Sequence, residues 1–147
     1  MKTQIHFITA FLVALGLCTS MQGQVRLPRL ISDGMVLQRD TELKIWGWAS
    51  PGENVVIEFA GKQYTTRTDG SGDWMIMLPP MQAGGPLTMT ITASNKLTIS
   101  NIMIGDVWLC SGQSNMELPV RRVRPLYEAE IAAAENNLIR SFTVPKT

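Results

Sequence analysis

Ser111, Gly112, Gln113, Ser114 and Asn115 follow directly on the apolar run Val107-Trp108-Leu109-Cys110. Small hydroxyl and amide residues at the end of such a run either close a plain turn or present a nucleophile. A serine that opens a helical turn stands among backbone N–H groups able to stabilise a developing oxyanion, which suits acyl transfer. In that reading Ser114 is the exposed hydroxyl, Gly112 permits a close approach of the backbone, and Gln113 and Asn115 brace the turn. Ser111 is the competing hydroxyl, nearer the apolar run and expected to bond locally. The flanking Gly112-Gln113-Ser114-Asn115-Met116 departs from the G-x-S-x-G elbow. Ser114 and Glu117 also fit S-x-x-E, a capping box, in which Ser114 only caps a helix. Pro119 argues against that, since its missing N–H falls early in the helix. On spacing alone both readings stand.

The residues that would assist a serine are scarce. The one histidine, His6, lies in the first two dozen residues. MKTQIHFITAFLVALGLCTSMQGQ carries Lys2, an apolar run from Phe7 to Leu17, and then small and polar residues, the order of a secretory signal peptide. The expectation is a signal over residues 1–23, cleaved near Gly23 or Ser20, and a periplasmic or secreted product. The apolar run is short for a membrane span. A lipoprotein through Cys18 is disfavoured because Leu17 is not small. The remaining chain has no histidine, one cysteine (Cys110), and twelve basic and twelve acidic side chains. This excludes an internal disulfide and argues against a metal centre. The charge balance gives no reason to expect nucleic acid or an anionic membrane as partner. Arg121, Arg122 and Arg124 make a local positive cluster, read as a solvated face in preference to a carboxylate site.

These groups need a frame. From residue 24 to 104 the chain alternates apolar and polar residues with period two. Leu43 and Ile45; Val55, Ile57 and Phe59; Tyr64, Thr66 and Thr68; Trp74, Ile76 and Leu78; Leu87, Met89, Ile91 and Ala93; and Leu97 and Ile99 mark successive inward faces. Pro, Gly, Asn and Asp clusters separate them. The pattern predicts a β-sandwich of roughly seven strands. Trp74 is expected in the core, with at least one of Trp46 and Trp48, which share a face by parity; the alternative reading of these aromatic rings is a platform on which a sugar stacks, and it stays open for Trp46 and Trp48.

After Gly105 the pattern changes. Val107–Cys110 reads as a strand buried on both faces, residues 125–135 as a helix ended by Asn136-Asn137, and residues 139–144 as a second strand. Strand, turn, helix, strand opens an α/β domain, so residues 105–147 are expected to be its incomplete start.

GDVWLCSGQSNMELP resembles the signature of the sialate O-acetylesterase family, in the SGNH-hydrolase superfamily. ISDGMVLQRDTELKIWGWASPGENVVIEF, DGSGDWMIMLPP and AGGPLTMTI resemble that family's N-terminal region in the same order. The resemblance implies a β-sandwich ahead of a flavodoxin-like α/β esterase domain. It implies that Ser114 is the nucleophile and gives one oxyanion donor through its own N–H. It also implies that the Asp and His of the triad lie further downstream, that no cofactor is required, and that the substrate is an O-acetylated sialic acid or other acetylated glycan. The rival expectation is a secreted, non-catalytic β-sandwich that binds glycan or protein.

Overall fold

The computed structural model describes residues 23–144; the expected signal peptide falls almost entirely outside them. Among the described residues there are seven strands: β1 (Val36–Gln38), β2 (Leu43–Trp48), β3 (Asn54–Phe59), β4 (Lys62–Arg67), β5 (Asp73–Leu78), β6 (Gly84–Thr92) and β7 (Lys96–Gly105). A five-stranded sheet runs in the order β1-β7-β6-β3-β4, and β2 pairs with β5 in a second, two-stranded sheet. β1 lies parallel to β7; every other pairing is antiparallel.

The period-two pattern sorts the side chains. Leu43, Ile45, Trp74 and Leu78 from the smaller sheet meet Val55, Ile57, Phe59, Met89, Ile91 and Ile99 from the larger one in a single buried cluster. Tyr64, Ile76, Leu87, Ala93 and Leu97 pack against it half-buried. Ile102 and Ile104 belong to the same core, although strict alternation from Ile99 would turn them outward. Asn101, with φ of 58°, supplies the missing residue of phase. The register steps from Met89↔Ile99 to Leu87↔Ile102 around it, so β7 bulges and keeps its apolar side inward.

Trp46 and Trp48 do share a face, but it is the outer one. Leu43, Ile45 and Gly47 of β2 are buried, while Trp46 is half-buried and Trp48 is 37% exposed. The expectation that one of them is a core residue is therefore corrected, although Trp46 packs against the core's margin. Gly47 explains the arrangement: opposite it stands Trp74. A Cβ on Gly47 would lie 2.8 Å from Trp74 Cζ2 and 2.4 Å from the Arg26 carbonyl oxygen. Only glycine leaves room for that ring.

Glu53 joins two turns. Its carboxylate accepts hydrogen bonds from the backbone N–H of Ser50 (3.0 Å) and of Ser94. Burial pushes the Glu53 carboxyl up, but the hydrogen bonds from Ser50 and Ser94 outweigh it, and its pKa lies below the ordinary carboxylate value. A lowered folded-state pKa contributes stability above the unfolded value, and that stability is lost as pH falls through the folded one. Glu53→Gln should therefore melt below the parent at neutral pH, and the gap should close on acidification below about pH 4. Thermal melts of both proteins across that range check this; a gap that stays constant contradicts it.

Beyond Gly105 the chain carries three short 3-10 turns, Ser114–Glu117, Val120–Arg122 and Arg124–Leu126, and one helix, α1 (Glu128–Ala133). Neither expected strand forms: Val107–Cys110 and residues 139–144 lack regular structure. Trp108 is 84% exposed and Leu109 91%. A strand requires a neighbour for its N–H and C=O groups, and no described strand is placed to pair with these. The helix is six residues long, shorter than its alanine-rich sequence suggests, because no apolar surface packs on it.

This contrast predicts how the chain is cut. Limited proteolysis should cleave first after about residue 106 and leave residues 25–104 as a resistant unit. Early cuts between Val55 and Ile91, with the C-terminal segment intact, would contradict this.

Candidate functional site

The segment that carries Ser114 leaves the strands at one edge of the larger sheet and is fastened there. Arg39, just past β1, places Nε 2.9 Å from Asp106 Oδ1 and Nη1 3.0 Å from Asp40 Oδ2. The hydrogen bond and charge of Asp106, with the charge of Asp40, raise the Arg39 pKa further above its ordinary value. The Val107 N–H donates to Gln38 Oε1 at 2.8 Å. The far end of the segment returns to the same edge. Arg140 Nη1 donates to the Gly34 carbonyl (2.9 Å) and to the Asn101 carbonyl, and its Nη2 donates to Asn101 Oδ1 (2.8 Å). The guanidinium fork thus satisfies the backbone opened by the β7 bulge.

Between these fastenings, Ser114 is the first residue of its 3-10 turn. Gln113 holds the N-cap position, and no side chain makes a capping hydrogen bond there. The capping-box arrangement, with Ser114 as the cap, is not what the chain adopts. Ser114 is exposed, and its hydroxyl has no hydrogen-bond partner among the described residues. As the opening residues of the turn, Ser114 and Asn115 have N–H groups without acceptors inside it. The turn is closed by the Met116 N–H donating to the Gln113 carbonyl (2.9 Å). A Cβ on Gly112 would stand 2.8 Å from Met116 Cγ, so the bare glycine lets Met116 fold over the entry to the turn.

Ser111 is exposed and lies outside the turn. Gln113 and Asn115 make no side-chain hydrogen bond among the described residues, so they do not brace the turn as expected. Arg121, Arg122 and Arg124 are exposed, and Arg124 approaches Glu128 at 3.7 Å on the following turn. Cys110 is an exposed free thiol. No group of three or more metal-ligating side chains occurs among the described residues, and no described helix is long and apolar enough to cross a membrane. The Arg39 and Arg140 fastenings leave no signature in the sequence. Arginines do not reveal their partners by spacing when those partners lie 67 and 39 residues away.

No family model matches the chain. Mouse (Mus musculus) sialate O-acetylesterase is 33% identical over 131 residues, which cover 81% of this chain and 24% of that protein. The human (Homo sapiens) sialate O-acetylesterase is 36% identical over 110 residues, 67% of this chain and 21% of that protein. Among solved structures, a carbohydrate acetylesterase from Xanthomonas citri superposes with a TM-score of 0.71 at 38% identity, over 77% of this chain and 26% of that one. The chain therefore spans about a quarter of the length of the curated relatives it matches. On that shared stretch, the chain belongs to the sialate O-acetylesterase family.

Proposed function

We propose that this chain supplies the nucleophile, and the turn that holds it, to a serine esterase that removes O-acetyl groups from sialic acids or related glycans. The observation that carries the reading is that Ser114 opens its turn with an exposed hydroxyl free of local partners, in a chain whose relatives are esterases.

In this mechanism Ser114 Oγ attacks the acetyl carbonyl while its proton passes to a base. The Ser114 N–H donates to the resulting oxyanion. Collapse forms the acetyl-serine ester and releases the sugar hydroxyl, which takes the proton back from the base. Water, deprotonated by the same base, then attacks the ester and frees acetate and Ser114. Residues 24–147 hold no histidine, and the family resemblance implies that the base and its orienting carboxylate lie further downstream. Residues 24–104 are the β-sandwich, and residues 105–147 open a flavodoxin-like α/β domain in which Val107–Cys110 becomes a strand once neighbouring strands pair with it. Residues 1–23 direct the protein to the periplasm or the exterior.

The test uses a longer protein that contains this chain. A fluorophosphonate probe should label Ser114, located by peptide mass spectrometry, and labelling should stop acetate release from O-acetylated N-acetylneuraminic acid or from acetylated xylan. Labelling at Ser111, or acetate release that survives complete labelling of Ser114, contradicts the assignment.

A further inference from the structure

The outer face of the two-stranded sheet is a second surface with its own chemistry. β2 turns Lys44, Trp46 and Trp48 outward, and β5 sets Met77, Met75 and Asp73 directly opposite them. The two tryptophans sit two residues apart on one strand face, about 7 Å along it. Lys44 Nζ lies 5.8 Å from the centre of the Trp46 ring. An open pocket of about 420 Å³ is lined by Lys44, Trp46, Trp48, Arg67, Asp69 and Asp73. Trp74 also borders this pocket, although the residue packs in the core and is 3% exposed; its Nε1 has no hydrogen-bond acceptor among the described residues.

This combination selects a ligand class. Flat aromatic rings favour a partner with apolar C–H faces. Lys44 and Arg67 offer donors, and Asp69 and Asp73 offer acceptors. The two positive and two negative groups cancel, so the pocket has no net preference for an anion or a cation. A sugar ring has apolar faces and an equatorial belt of hydroxyls that both donate and accept, and it carries no charge. A wholly apolar occupant would instead cover the Lys44 ammonium and the Asp73 carboxylate without giving either a polar partner, whereas Arg67 already donates to the Gly52 carbonyl and Asp69 already accepts from the Ser71 and Asp73 N–H groups.

We propose that the outward face of β2 and β5, centred on Trp46 and Trp48, is a carbohydrate-contact surface that binds an uncharged polysaccharide. It is separate from the Ser114 turn and does not depend on an ester. In a protein that also carries the proposed deacetylation site, it would hold the enzyme on an uncharged acetylated glycan between catalytic events.

The test is affinity electrophoresis of the full chain through gels that contain unacetylated xylan, glucomannan or dextran. At least one polymer should retard the chain. Trp48→Ala should weaken that association by about tenfold, as loss of a central aromatic contact does. Trp48→Phe, which keeps a stacking face, should recover part of it. Tryptophan emission should also shift when the retarding polymer is added. Trp48 is part-exposed, so its substitution leaves the core intact, and circular dichroism checks that the variant is folded. Lack of retardation by all these polymers overturns the proposal, as does retardation that Trp48→Ala leaves unchanged. Sedimentation gives a third way to sink it: a self-associated chain that Trp48→Ala converts to monomer would assign the face to a protein partner. Because the polymers carry no acetyl groups, none of these outcomes bears on the esterase reading.

Discussion

Ser114→Ala in an esterase that contains this chain is expected to lower acetate release by about 10⁴-fold or more, the scale seen when a covalent nucleophile is removed from a set of groups that act as a unit. Ser111→Ala should retain most of the activity. Residues 24–147 alone should show negligible turnover, because an unassisted serine hydroxyl is a poor nucleophile at neutral pH and a positioned base contributes about 10²–10⁴ in rate. Steady-state acetate release from the three proteins separates the claims. Clear turnover by residues 24–147, abolished by Ser114→Ala, would show that no external base is needed. Full activity of the longer Ser114→Ala protein would remove Ser114 from the mechanism.

Trp74→Ala should cost about 3–5 kcal/mol of stability, as large aromatic truncations in cores do. Trp74 is buried, lies across from Gly47, and joins the two sheets' contributions to one cluster. Its removal leaves a cavity that Gly47 cannot fill. Its indole N–H has no protein acceptor among the described residues, so the loss is one of packing alone. Gly47→Ala approaches the same defect from the other side, since the added methyl would overlap both the ring and the Arg26 carbonyl. Thermal or urea unfolding of both variants measures the cost. A Trp74→Ala midpoint equal to the parent's would show that the ring does not support the core.

The strands were legible where burial on one face writes a period of two into the sequence, as in Val55-Ile57-Phe59 and Met89-Ile91. β1 was not, because a three-residue strand carries no period and its partner, β7, begins about sixty residues later. The bulge at Asn101 was hidden because Ile99 and Ile102 look out of phase until the backbone conformation between them is known. Parity puts Trp46 and Trp48 on one face, but parity alone cannot say which side of a sheet is solvent. The Ser114 turn was legible as small polar residues after an apolar run. Its form was not, because a 3-10 turn with no side-chain cap is decided by the backbone around Gly112 and Met116. Val107–Cys110 carries the composition of a buried strand and stands exposed, since composition records what a segment can bury and not which strand will cover it.

Arg39 and Arg140 secure the two ends of the Ser114 segment to a single sheet edge, so the chain between them behaves as a closed loop. Closing such a loop costs entropy that grows only with the logarithm of its length, about 0.6 kcal/mol for each doubling. Residues added or removed between Glu117 and Asn136 therefore change little in the anchorage at Asp106 and Asn101. The sheet edge can carry segments of different length while the turn at Ser114 keeps a fixed starting point.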